Sequence, residues 1–312
     1  MTSVCVLTSV GEQRLNSRPI KQDGILVVAC VRNEVVLLPW FLAYHRRLGV
    51  DRFLVVDNGS SDGTSELLDA EDDVVRFWAP GSYAESACGI EWTNQVTRSH
   101  GFGHWVLTLD ADECFYYPDC ETRTVVDLTS FLERRQANAM RAPLLDMYPP
   151  GPLAEAQYDA GSDPLPAFPF FDPDYEMAMF EGRPYIVRGG PRQRLFWDNA
   201  GHDHPSPFLM KVPLVKWCGQ APYTTSTHVV REAEFTDISG VLLHFTLAHD
   251  FAARAAEESQ RKEHFADARQ YAAYDRVMRE QPDLVVRNAR SRRLHYSAVL
   301  AELGLMYKPD DF

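Results

Sequence analysis

The chain has 312 residues, 45% hydrophobic and 24% charged, which suits one large buried core and excludes extensive disorder. Its 31 Lys and Arg against 44 Asp and Glu leave a formal charge of −13. That balance argues against nucleic acid as the main partner, because phosphate binding needs a basic face. Six scattered cysteines form no CxxC pair and point to a reducing compartment. Residues 1–20 lack the charge and apolar pattern of a secretory signal, and no window approaches the ~20 apolar residues of a membrane span. The expectation is a cytoplasmic protein with no transmembrane segment, for which peripheral membrane association stays open.

From Gly24 to Ala111, short apolar runs alternate with amphipathic ones. Residues 25–31 (ILVVACV) read as a strand covered on both faces. Residues 36–48 place Leu37, Leu38, Phe41, Leu42 and Leu48 at helical spacing; Gly49 supplies the stop, and Pro39 fits in the first turn. Residues 52–57 (RFLVVD) form a second strand, 58–64 (NGSSDGT) a turn, and 65–70 a short helix whose start Ser and Asp side chains can cap. A strand over 74–78, a helix over 85–100 and a strand over 105–110 (WVLTLD) follow. This order predicts a parallel, three-layer α/β sheet.

The later chain is less regular. Residues 138–147 read as a strand and 149–175, rich in Pro, Gly, Asp and aromatics, as an ordered loop. Strand-like runs cover 185–188, 193–196, 209–216, 223–230 and 240–247. Residues 250–307 read as helical, with a break at Gln281-Pro282. The expected organisation is a lead segment (1–23), an α/β domain (24–249, with halves 24–115 and 116–249) and a helical C-terminal extension (250–312).

Parallel strands end at one edge of a sheet, and ligands bind outside those ends. Here the ends read Arg32-Asn33-Glu34, Asp57-Asn58 and Asp110-Ala111-Asp112-Glu113. With Asp62, six carboxylates converge on one rim with only Arg32 nearby in sequence. Like charges crowded together need a cation among them. In Asp110-Ala111-Asp112, residues i and i+2 of an extended run point the same way, so both can address one Mg²⁺ or Mn²⁺ and bridge it to a diphosphate. In Asp57–Thr64 the glycines allow close approach of a ligand, which places Asp57 near a base or ribose.

The run ACVRNEVVLLPWFLAYHRRLGVDRFLVVDNGSSDGT, with HWVLTLDADE after it, resembles the family 2-type glycosyltransferases, and more narrowly a bacterial subgroup related to family 92. The later blocks LMKVPLVKW, STHVV and GVLLHFTLAHDF are similar to the subgroup's C-terminal half, so the likeness covers roughly residues 24 to 275. It implies the GT-A fold, a Rossmann-like, mostly parallel sheet flanked by helices. It also implies an inverting transfer from a UDP-sugar or similar nucleotide-sugar donor to a hydroxyl of a glycan or other acceptor, with Mn²⁺ or Mg²⁺. By motif, Asn33 and Glu34 follow the first strand, Asp57 the second, and Asp110 and Asp112 form the metal pair. Donor contacts are then expected from Arg32, Asn33, Glu34, Asp57, Asn58, Asp62 and Asp110.

His244 stands in an apolar run and matches the HF pair of the related sequences, which makes it a candidate third metal ligand beside a core role. His228 has a similar, weaker claim. His202-Asp203-His204 sits in a polar loop between Gly201 and Pro205. An inverting transfer needs a base for the acceptor hydroxyl. Asp198 and Asp146 are the candidates, Asp198 by its distance beyond the acidic motif, although the usual ED motif is missing. Arg188, Arg192 and Arg194 could steady donor phosphates or an anionic acceptor. Arg287, Arg290, Arg292 and Arg293 fall on an expected late helix as a solvated face. A nucleotidyltransferase and a catalytically silent binding protein stay open; the first would place a Gly-rich basic loop after the first strand, where Arg32-Asn33-Glu34 stands.

Overall fold

The computed structural model describes residues 11–12, 19–198, 205–219, 223–224, 226–248 and 250–312. The first half runs β1 (Gly11–Glu12), β2 (Ile25–Val31), α1 (Leu38–Leu48), β3 (Val50–Asp57), α2 (Thr64–Ala70), β4 (Val74–Trp78), α3 (Ile90–His100) and β5 (Trp105–Thr108). The second half adds β6 (Glu113–Tyr116), α4 (Val125–Arg134), β7 (Ala139–Asp146), β8 (Phe170–Phe171), β9 (Tyr175–Phe180), β10 (Arg183–Gly189), α5 (Gly190–Phe196), β11 (Met210–Lys216) and β12 (Val241–His244). It closes with α6 (Phe251–Arg261), α7 (Phe265–Glu280), β13 (Arg292–Arg293) and α8 (Ala298–Glu302).

Nine strands share one sheet in the order β1-β4-β3-β2-β5-β11-β7-β12-β6. β4, β3, β2 and β5 are parallel neighbours, as the alternating pattern predicts. β11 then enters antiparallel between β5 and β7, joining both halves through one ladder. Alternation along β2 explains why its whole length is apolar. Ile25, Val27, Ala29 and Val31 pack into one core cluster, and Leu26 and Val28 into another across the sheet. The fold is therefore a Rossmann-like α/β sheet, mostly parallel in its first half, with helices on its faces.

Local chemistry sets the element ends. Pro39 sits in the first turn of α1, and Gly49, at φ 100°, caps its end. Thr124 and Asp127 close a reciprocal capping box on α4.

Several expectations are corrected. Residues 193–196 are helical, because Gly189 and Gly190, both at positive φ, end β10 and Pro191 starts α5. The run 223–230 makes only one isolated bridge, Tyr223 to Val230. The helix expected from residue 85 begins at Ile90, after a turn through Ser86 and Gly89. Past Gln281-Pro282 the chain is mostly irregular, so Arg287 and Arg290 lie on a loop and Arg292–Arg293 pairs with β8. No helix among the described residues is long and apolar enough to cross a membrane.

Candidate active site

The carboxyl ends of β2, β3 and β5 open into a cleft of about 910 Å³. Its floor is the loops after those strands; one wall comes from β10, α5, β11 and β12, and the other from α6, α7 and the turn around Tyr83.

The first two strand ends are stitched to each other. The Asn33 N–H donates to Ser60 Oγ (3.0 Å), and Asn33 Oδ1 accepts from the Ser61 N–H (2.8 Å). Asp62 accepts from the Val35 N–H (3.1 Å) and the Thr64 N–H (3.0 Å). Burial alone would raise Asp62, but these bonds and the Thr64 hydroxyl hold it below its usual value. Asp57 is buried, with its carboxylate accepting from the Ser60 N–H and the Ser65 hydroxyl. Neither Asp57 nor Asp62 lines the cleft. Both brace the turn from beneath, so the expected donor contacts pass to Arg32, Asn33, Glu34, Asn58 and Asp110, which do line it. Asn58 donates to the Ala79 and Gly81 carbonyls (2.7 and 2.9 Å), and its Oδ1 accepts from Arg261 on α6 (3.0 Å).

The third strand end is acidic but not bare. Lys211, from β11, places Nζ 2.8 Å from Asp110 Oδ2 and 2.5 Å from Glu113 Oε1. Desolvation of the half of the Asp110 side chain that faces the protein would raise it, yet the Lys211 ammonium outweighs this and holds the carboxyl at about 2. Glu113 is fully buried, and burial, with Asp110 and Asp112 beside it, pushes its carboxyl up to about 8 against Lys211. Glu34 is likewise raised by burial to about 8, with Arg254 opposing and Asp112 and Asp250 adding to the rise. Arg254 Nη1 stands 3.8 Å from both Glu34 and Asp112.

Strand register delivers the next group. β12 pairs His244 with Glu113 on one side and with Asp146 on the other, so the three side chains share a face. His244 Nδ1 is 2.7 Å from Asp146 Oδ1, and Asp146 Oδ2 accepts from Arg192 Nε (2.8 Å). Asp146 is fully buried; burial pushes its pKa up, but Arg192 and His244 bring it below the ordinary carboxylate value. Because Asp146 can only accept once ionised, Nδ1 carries a hydrogen, and Nε2 stands 3.4 Å from Asp112 Oδ2.

The sequence-derived base candidates adjoin residues of the cleft wall without lining it. Asp146 is clamped between Arg192 and His244, and Asp198 is exposed in the turn after α5; neither lines the cleft. Arg188 and Arg192 line it, whereas Arg194 turns away to Asp172. His202, Asp203 and His204 lie outside the described residues. Sequence reasoning missed Lys211, Arg254 and Arg261. The only signals were a lone lysine in an apolar strand and the Arg254–Glu257–Glu258–Arg261 spacing on one face of a helix.

The sheet and the polar cleft across its strand ends define a Rossmann-like α/β protein. Within that class, about a third of the chain is similar to proteins named glycosyltransferase family 92. It is 29% identical over 106 residues to a family 92 glycosyltransferase protein of Oryza sativa subsp. japonica, covering 33% of this chain and 18% of that protein. It is 28% identical over 102 residues to one of Ricinus communis (31% and 18% covered) and 31% over 106 residues to one of Arabidopsis thaliana (31% and 18%). The chain thus matches less than a fifth of the length of these curated relatives. No family model matches it. Among solved structures, a 4-diphosphocytidyl-2C-methyl-D-erythritol synthase aligns over 91% of this chain and 99% of its own at 13% identity, with a TM-score of 0.29, too low to carry an argument.

Proposed function

We propose that the chain is a glycosyltransferase that moves a sugar from a nucleotide-sugar donor to a hydroxyl of a glycan or similar acceptor. The observation that carries this is the Asp146–His244–Asp112 alignment beside Asp110, at the strand ends of a chain related to family 92 glycosyltransferases.

A divalent ion, Mn²⁺ or Mg²⁺, fits the Asp112–His244 pair. The pair would offer an ion a carboxylate oxygen and Nε2 of an imidazole oriented by a buried carboxylate, a common arrangement behind metal-binding histidines. Asp110 fits less directly, because Lys211 holds one of its oxygens. Among the described residues no group of three acids, histidines or cysteines is placed to hold an ion by itself, so this reading requires the donor's phosphates as further ligands. When bound, the ion supplies positive charge to the leaving nucleoside diphosphate. Arg254 and Lys211 add fixed charge on either side of Asp110 and Asp112 without reorganising during the reaction. The clustered rings of Tyr83, His264 and Tyr271 suit a nucleobase, and a UDP-sugar is the donor favoured. The acceptor oxygen attacks the anomeric carbon in line and inverts it.

A second reading rests on Lys211. Its ammonium already occupies the place beside Asp110, which favours a donor site held by resident cations without a metal. The deciding experiment is turnover of UDP-glucose, UDP-galactose and UDP-N-acetylglucosamine with Mn²⁺, repeated in EDTA and with Asp112→Asn. Turnover lost in EDTA and in the variant supports the metal reading, and turnover surviving EDTA supports the second. Binding without turnover would leave a silent nucleotide-sugar binder, and no response to any donor would sink the transferase reading.

A further inference from the structure

The acceptor-facing wall of the cleft poses a chemical problem. From Leu144 to Thr246 its described lining residues include Arg188, Arg192 and Lys211 but no aspartate or glutamate. Every carboxylate lining the cleft belongs to the floor or to α6 and the residue before it, and the three floor acids beside Lys211 and His244 (Asp110, Glu113 and Asp112) are engaged by them. A group that takes the acceptor's proton must stand on the side from which the acceptor attacks.

We infer that His228, acting through Nε2, is the base that deprotonates the acceptor hydroxyl. This rests on the transferase reading above and deepens it. His228 lines the cleft on that wall. Its Nδ1 lies against the Met210 carbonyl, an acceptor only, so the hydrogen sits on Nδ1 and the lone pair on Nε2. Phe208 packs edge-on against the imidazole at 5.6 Å, fixing the ring plane. Met210 directly precedes Lys211, which grips Asp110, so this ring is held one residue from the strand position that touches the acidic loop.

The charged groups around it are Lys211, Asp110 and Arg192. Burial first, and then Lys211, lower its pKa to about 4, so the ring is neutral and able to accept at neutral pH. That basicity matches the ~4 of the carboxylates that could otherwise do this work. The step balances without a redox partner. The acceptor O–H proton passes to Nε2, the freed oxygen pair bonds to the anomeric carbon, and the bond from that carbon to phosphate oxygen breaks with its pair leaving on the nucleoside diphosphate. The imidazolium then returns its proton to solvent, and Asp110 and the departing diphosphate stabilise it meanwhile.

The test uses the full chain with Mn²⁺ and whichever of the three UDP-sugars the wild type hydrolyses, water serving as acceptor. His228→Gln, which keeps a donor near the Met210 carbonyl, and His228→Ala are compared with wild type for kcat, donor KM and donor-induced thermal shift. A kcat lower by about a hundredfold in both, with KM and the donor-induced shift unchanged, supports the assignment. Unchanged kcat in a folded His228→Gln overturns it. So does a parallel loss of Mn²⁺-dependent donor binding, which would make His228 a ligand. No turnover by the wild type sinks the transferase reading and this assignment with it, whereas turnover matched by His228→Gln sinks the assignment alone.

Discussion

Lys211→Met removes the one ammonium that touches both Asp110 and Glu113 while keeping much of the side-chain volume. The two carboxylates lose different amounts. Asp110's side chain is 52% exposed, so water screens it and its share is small, about 1 kcal/mol. Glu113 is 0% exposed, and stripping a buried carboxylate of its partner costs about 3–5 kcal/mol. Protonation limits that cost, since Glu113 is already raised to about 8 and can take a proton instead of standing bare. The net expectation is a loss of about 3 kcal/mol, or about 5 °C in unfolding midpoint at this chain length. Two further arms make the reasoning specific. Lys211→Met/Glu113→Gln should recover most of the loss, because a neutral amide needs no counter-charge. With Asp110 released, Mn²⁺ should raise the midpoint of Lys211→Met more than that of the wild type. Scanning calorimetry in EDTA, then with Mn²⁺, reads all three. A midpoint for Lys211→Met within about 2 °C of wild type would show that the ammonium is dispensable and refute the argument.

Glu34 and Glu113 are both raised from 4.5 to about 8, so between those values the folded chain holds protons that the unfolded chain has released. Stability of the metal-free protein should therefore fall as pH rises through that window and level off above it. Glu34→Gln should flatten the slope measured by urea titration across pH, and a slope rising with pH contradicts both assignments. Asp146→Ala, which unpairs buried Arg192 and frees His244, should cost about 3–5 kcal/mol and abolish Mn²⁺-dependent donor binding. Asp198→Asn, on an exposed turn, should change stability by less than about 0.5 kcal/mol and leave kcat alone, and a large fall in kcat would return Asp198 to the site. Arg254→Ala should raise the donor KM about tenfold, and an unchanged KM removes Arg254 from donor binding.

The parallel half of the sheet was legible because its physics is local. Residues 25–31 and 53–56 are buried on both faces, and their uninterrupted apolar runs fit such strands. The acidic loop after β5 was legible for the same reason: a strand too apolar to be anything else stops at Asp110-Ala111-Asp112-Glu113. What surrounds those acids was not legible. Lys211 reaches Asp110 across 101 positions and Glu113 across 98, and Asp146 reaches His244 across 98, so no spacing rule connects them. Nor does spacing reveal that Asp57 and Asp62 accept from backbone N–H groups, although a turn rich in Ser, Thr and Asp can spend its carboxylates in that way.

The missing cations change what the acidic rim means. Six clustered carboxylates with only Arg32 nearby demand a metal, but the folded chain brings Lys211, Arg254 and Arg76 to those acids at distances of 2.5 to 3.8 Å. Charge crowding alone therefore no longer argues for an ion, and the case narrows to one place. Asp112 meets an imidazole whose other nitrogen is fixed by a buried carboxylate, a second support that mere charge balance does not need. The metal reading therefore rests on His244, aimed at Asp112 by Asp146, and loss of Mn²⁺-dependent donor binding in Asp146→Ala is the result that separates a ligand from a residue that only balances charge.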